Sequence, residues 1–171
     1  MTVLCDWEIE GNCRLSKMVE PFRKELVNPA SIDVLLGSNL LVESQSGELE
    51  PVEIASKTKN DPFWLEPSAF CLAQTQETFN LPDTIAAKFA LKSSRAREGY
   101  NHMLAGWCDP GWHGSVLTLE LTNAKRFSSL PLYPGLKIGQ MVFYRMSAKP
   151  RASYAETGHY NNHDKVMGSV A

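Results

Sequence analysis

The stretch VLTLELT, residues 116–122, fixes the fold class more tightly than any other. Leu117, Leu119 and Leu121 alternate with Val116, Thr118, Glu120 and Thr122. A period of two sends alternate side chains to opposite faces of a strand, and no helix can segregate that pattern. Similar short runs occur at residues 32–36, 39–43, 70–75, 85–91 and 138–145. Gly37-Ser38, Leu81-Pro82-Asp83, Asp109-Pro110-Gly111 and Tyr133-Pro134-Gly135 punctuate them. Turn signals at this frequency predict an all-β sandwich or barrel. Two helical pieces are expected beside the strands. One is residues 16–26, started or broken at Pro21; the other is residues 93–98, with serine at the front and Gly99 at the stop.

At 171 residues the chain is read as a single domain, residues 1–171, with a polar, mobile tail from about 150. There is no repeat, linker or low-complexity run. A formal net charge of −2 lacks the basic stripe that neutralises many phosphates, so no nucleic-acid partner is expected. The opening MTVLCDWEIEG has no basic n-region followed by an apolar run, and no apolar stretch approaches the length of a membrane span. A soluble cytoplasmic protein without a membrane partner is expected. Cys5, Cys13, Cys71 and Cys108 form no C-x-x-C and are read as free thiols. Nothing local marks a base that would make Cys108 a nucleophile.

Three segments are candidates for chemistry. In KSSRAREG, residues 92–99, a strand feeds a short helix whose free N–H groups suit a phosphate; Lys92 adds charge, and Ser93 and Arg97 share a face. The plain alternative is a capped surface helix. Glu120 sits in mid-strand on the polar face. It is either solvent-facing or it lines a pocket, where partial desolvation makes a glutamate a usable general acid/base. Asp109 lies between Trp107 and Trp112; it is either ordinary turn chemistry or part of a wall for a planar ligand. His159 and His163 have i, i+4 spacing, but the intervening Tyr-Asn-Asn and the preceding Gly158 disfavour a helix that would present them to a metal.

Taken in order, six short motifs resemble the dCTP deaminases of the trimeric dUTPase superfamily. NPASIDVLLG at 28–37 resembles that family's "PaSyDvrLG", and AQTQE at 73–77 with Leu81-Pro82 resembles "LA-T-E…LP". KSSRAR at 92–97 is similar to "RSSlaR". DPGW at 109–112 with Gly114, then Leu119-Glu120-Leu121 and Asn123, is similar to "DpGw-G…LEl-N"; PGLKIGQ at 134–140 resembles "pGm-IGQ". Lys92 stands where the family has arginine. Arg97 to Asp109 is one residue short and Gly114 to Glu120 one residue long, the second being a change that a β-bulge would absorb.

The resemblance implies a distorted jelly-roll barrel of the dUTPase-like, β-clip kind with short helices, assembled as a homotrimer with active sites between subunits. It implies conversion of dCTP to dUTP and ammonia, in some members followed by hydrolysis of dUTP to dUMP and pyrophosphate. Magnesium rides on the triphosphate, the protein itself contributes no metal site, and no zinc takes part. The H-x-E and P-C-x-x-C pattern of the zinc deaminases is missing here as well. By the same resemblance Glu120 is the general acid/base, and Ser93 and Arg97 order it and its water. Asp109 takes the 3′-OH, in the position where dUTPases keep a water-activating aspartate. Lys92 and Ser94 take phosphate oxygens, Trp112 shapes the sugar–base pocket, and Ala105 and Gly106 meet the base. Gln140, Tyr154, Tyr160 and Lys165 enclose the triphosphate. Gly106 after Ala105 is expected to leave room for a uracil carbonyl, favouring the bifunctional reading. A dUTPase acting through Asp109 alone and a catalytically silent nucleotide-binding regulator are the alternatives.

Overall fold

A computed structural model describes residues 1–169. The strands are β1 (Thr2–Val3), β2 (Val19–Glu20), β3 (Val27–Asn28), β4 (Ser31–Glu43), β5 (Leu49–Glu53), β6 (Phe63–Leu65), β7 (Phe70–Asn80), β8 (Ile85–Leu91), β9 (Tyr100–His102), β10 (Trp107–Cys108), β11 (His113–Asn123), β12 (Leu130–Leu132) and β13 (Lys137–Arg145). The helices are α1 (Asp6–Ser16), α2 (Ser93–Glu98) and α3 (Tyr154–Thr157), with a 3₁₀ turn at Lys24–Leu26. Every strand pair is antiparallel. The main sheet runs β10-β8-β13-β4-β7-β11-β9, with β1 on β13, β2 on β7, and β3 and β5 on β4; β12 and β6 form a separate pair. The sheet curls into an open barrel, the all-β architecture that the strand pattern predicts.

The core fills the curl. Phe79, Phe143, Ile32, Leu36, Leu40, Leu119 and Leu121 are essentially inaccessible. Each such side chain contributes roughly 1.5–3 kcal/mol by leaving water. Leu117, Leu119 and Leu121 of β11 are all buried, as their alternation requires.

Two expectations are corrected. Residues 32–36 and 39–43 are not two strands but one continuous β4. Its first part pairs with β13 and its second with β5 and β7. The pairing with β7 changes register between Leu36 and Leu40, and there the backbone passes so close to β7 that a Cβ on Gly37 would meet Gln74 Cγ at 2.8 Å. Gly37 is the crossing point of a strand shared by two halves of the barrel, not a hairpin turn.

The helix expected at 16–26 lies instead at Asp6–Ser16. Glu8 accepts the Cys5 N–H at 3.1 Å, Asp6 and Glu8 complement the helix N-terminus, and Lys17 closes it in the left-handed region at φ 53°. Past that stop, Val19 and Glu20 pair with β7, and Pro21, lacking an N–H, precedes the 3₁₀ turn. Among the described residues no helix is long and apolar enough to cross a membrane.

Candidate active site

The loop between β10 and β11 and the face of β11 enclose one side of a cavity of about 630 Å³. Glu120 stands on its wall with Thr118. Across the strand pair, Thr118, Glu120 and Thr122 oppose Gln74, Leu72 and Phe70 of β7, so the carboxylate rises from a largely apolar floor. β11 meets β7 with two register shifts, one at His113/Ser115 and one at Val116/Thr118, where Leu117 alone faces Thr75, Gln76 and Glu77. His113 pairs with Asn80 and Ser115 with Phe79, leaving Gly114 unmatched at φ 66°, a conformation that suits glycine.

The two tryptophans of the loop do different work. Trp112 is buried, stacks on Phe79 at 5.6 Å between centroids and donates its Nε1–H to the Tyr160 carbonyl at 2.8 Å. Trp107 is half exposed and donates its Nε1–H to Asp109 Oδ1 at 2.9 Å, aiming an exposed carboxylate along the cavity rim. Cys108 is buried between them. Burial, reinforced by the Asp109 charge, pushes its thiol up to about 12, which makes it inert as a nucleophile at neutral pH. Burial also raises Cys13 and Cys71 to about 12, and all four cysteines are free.

The segment beyond residue 150 closes the cavity. Tyr154 N–H donates to the Pro110 carbonyl at 2.9 Å, and Asn161 Oδ1 accepts the His113 N–H at 3.0 Å. Val116 N–H donates to the His163 carbonyl at 3.0 Å, and Gln74 Oε1 accepts the Val166 N–H at 2.8 Å. Tyr154, Tyr160, His163 and Lys165 thereby line the same cavity as Glu120. His163 Nε2 lies 3.2 Å from the His159 carbonyl, so the His159–His163 pair forms a local turn contact. Among the described residues no three His, Cys, Asp or Glu side chains converge on a point that suits a metal ion.

Of the residues singled out in the sequence, Ala105, Asp109, Trp112, Glu120, Tyr154, Tyr160 and Lys165 line this cavity. Lys92, Ser93, Ser94, Arg97, Gly106 and Gln140 are not in its lining. Gly106 is buried against β8: its carbonyl accepts the Phe89 N–H at 2.7 Å, and a Cβ there would lie 2.9 Å from Phe89 Cβ and Phe89 O. Its small size serves that strand contact. Ser93, Ser94 and Arg97 project from α2 into solvent. Lys92 Nζ is 2.5 Å from Asp33 Oδ1, Lys137 Nζ is 3.3 Å from Asp33 Oδ2, and Gln140 Oε1 accepts the Ser31 hydroxyl at 3.0 Å. Burial opposes ionisation of Asp33, but hydrogen bonds from Lys92 and Asn28 outweigh it and hold the carboxyl below its ordinary range. The site residues thus fall into two groups, one on the cavity and one at the junction of β4, β8 and β13. Sequence reasoning missed His102, whose Nε2 lies 3.1 Å from Glu120 Oε2. The signal was available only as a histidine one register step from the glutamate on the adjoining strand.

A profile of dCTP deaminase-like proteins matches residues 3–146. The chain is 37% identical to the "dCTP deaminase, dUMP-forming" of Pseudarthrobacter chlorophenolicus, over 99% of this chain and 93% of that one. It is 35% identical to the protein of the same name from Mycobacterium marinum, over 91% of this chain and 87% of that one. The chain belongs to the dCTP deaminase-like family. Among solved structures, the 2′-deoxycytidine 5′-triphosphate deaminase of Agrobacterium tumefaciens superposes with a TM-score of 0.67 at 19% identity. That match covers 82% of this chain but only 47% of the longer one. A dUTPase from phage phi11 of S. aureus, solved as a point mutant, superposes with a TM-score of 0.53 at 13% identity, covering 78% of this chain and 87% of that one. These likenesses establish a dUTPase-like fold.

Proposed function

We propose that the protein hydrolytically deaminates dCTP and carries the product on to dUMP and pyrophosphate, in pyrimidine deoxynucleotide metabolism in the cytoplasm. The observation that carries this reading is the placement of two carboxylates, Glu120 and Asp109, on one cavity roofed by the tail. The relatives named as dUMP-forming support the second step.

Glu120 takes a proton from water, and the resulting hydroxide adds to C4 of the cytosine. The glutamic acid returns that proton to the ring nitrogen N3, the carboxylate then takes the C4 hydroxyl proton and passes it to the amino group, and collapse at C4 expels ammonia and leaves the carbonyl of uracil. The balance is dCTP plus water to dUTP plus ammonia. The apolar floor of Leu72 and Phe70 keeps bulk water from competing with that proton transfer. Trp112 walls the sugar and base, and the Ala105 backbone meets the base edge. Asp109, aimed by Trp107, first holds the deoxyribose 3′-OH and then activates a second water for attack at the α-phosphorus, releasing pyrophosphate. Tyr154, Tyr160 and Lys165 close over the phosphates. The substrate is the magnesium complex of the nucleotide, and zinc has no part in the proton transfer.

Ser93, Arg97, Lys92, Ser94 and Gln140 complete the chemistry from a second copy of the chain. They lie outside their own chain's cavity, and α2 presents its polar face to solvent, as a helix that docks into a neighbouring cavity would. A homotrimer with shared sites accounts for both groups. The experiment is Glu120→Gln, assayed for ammonia release from dCTP and for nucleotide binding. Loss of about 10²–10⁴ in rate with binding retained is expected. Ammonia release at the wild-type rate would remove Glu120 from the mechanism.

A further inference from the structure

His102 closes β9, the strand beside β11 at the edge of the sheet. Its Cα pairs with Leu121, and the next residue, Met103, donates its N–H to the Glu120 carbonyl at 3.2 Å, so the histidine backbone is fixed against that of the glutamate. The side chain is buried, 6% exposed, and its ring lies tilted on Phe89 at 4.6 Å between centroids. Nε2 comes within 3.1 Å of Glu120 Oε2. Both atoms are buried and, among the described residues, neither has an aligned hydrogen-bond partner; their 3.1 Å approach to each other is close enough for an ion pair but is not itself aligned as a hydrogen bond.

Two buried polar atoms at that distance must be complementary. Facing an ionised carboxylate, an unprotonated Nε2 would set one lone pair against another, so the Nε2–H tautomer is the complementary one, with Oε2 as its acceptor once the two groups align. The ring also cannot swing away, because Phe89 is packed against it. Phe89 is held in turn by the Gly106 carbonyl.

We propose that His102 is a positioning residue for Glu120. The Nε2–H anchors Oε2 on the buried side of the strand and leaves Oε1 as the oxygen that meets water and the pyrimidine. A general base is effective only while its reacting oxygen holds hydrogen-bond geometry, and a misplacement of about 1 Å can cost about 10²-fold. The inference rests on the reading of Glu120 as the base. The plain alternative is a core histidine that only fills space beside Phe89.

The test compares the wild-type assembly with His102→Phe, which keeps an aromatic ring on Phe89 but removes the donor. It also uses His102→Gln, whose amide nitrogen reaches roughly the position of Nε2. Ammonia release from dCTP gives kcat and KM, and calorimetry gives nucleotide affinity. The expected result for His102→Phe is a kcat lower by about 10- to 100-fold with nucleotide affinity unchanged, and most of kcat restored in His102→Gln. Wild-type kcat in His102→Phe, or equal losses in both variants in step with their melting temperatures, would overturn the proposal. Should His102→Phe not fold, His102→Gln is set against His102→Asn, whose amide reaches only the Nδ1 position. Retained kcat in the first and lost kcat in the second supports the anchor, and equal kcat in both overturns it. Glu120→Gln separates the two levels. If that variant deaminates normally, the base assignment fails; if it is inactive beside a fully active His102→Phe, only the role of His102 fails.

Discussion

Trp112 and Tyr160 are joined by a 2.8 Å hydrogen bond from the indole Nε1–H to the tyrosine carbonyl, across 48 residues of sequence. The bond ties the roof of the cavity to its wall, while the stacked face of the same indole anchors that wall on Phe79. Trp112→Phe keeps the stack and removes the tie. The expected stability loss is about 1 kcal/mol, the net value of one hydrogen bond. Amide exchange should accelerate across residues 159–166, and KM for the nucleotide should rise. Unchanged exchange in that segment would show that Trp112 does not hold the tail.

The separation of Glu120 from Arg97 within one chain predicts complementation between subunits. Glu120→Gln and Arg97→Ala should each be inactive. Coexpressed at equal levels, they should recover about a quarter of wild-type activity, the statistical share of cyclic interfaces that bring an intact Glu120 to an intact Arg97. No recovery in hybrids verified as mixed trimers would place both groups in one chain's site.

Gly106 is small because β8 leaves no room for a Cβ. Gly106→Ala should cost about 1–3 kcal/mol through overpacking against Phe89, seen as a lower melting temperature. The ratio of dCTP to dUTP turnover should change little. A changed ratio at unaltered stability would restore a role for this glycine in accommodating uracil.

Glu77 is buried, accepts the Leu35 N–H on Oε2 at 3.0 Å and leaves Oε1 without a partner among the described residues. Burial pushes its carboxyl up, only partly opposed by the hydrogen bonds and by the Arg23 charge. The fold therefore favours the protonated acid. That contribution is fully present below the unfolded value of about 4.3 and is lost as pH rises through the raised folded value. Glu77→Gln should raise the melting temperature most at pH 8, and the gain should shrink toward pH 4. A gain independent of pH would contradict this.

The strand face bearing Glu120 was legible because alternation is local, and α2 because serine and Gly99, here at φ 106°, mark its ends. The position of α1 was not. Its apolar residues do not form one buried stripe: Ile9 and Cys13 are buried while Trp7 and Leu15 are 72% and 91% exposed. Pro21 in the following segment drew the helix too far along the chain. The docking of the tail was also beyond local reading, because Asn161, His163 and Val166 bond to groups 47 to 92 residues away. Gly106 was read through a ligand when the determining neighbour was Phe89, a contact that only the sheet order reveals.

The most direct test is the product spectrum from dCTP at early times, by rapid quench with ammonia, dUTP, dUMP and pyrophosphate measured together. The two carboxylates on one cavity predict equimolar ammonia, dUMP and pyrophosphate with no free dUTP building up. Accumulation of one dUTP per ammonia, with added dUTP never cleaved, would contradict the bifunctional site, and absence of ammonia would contradict deamination itself.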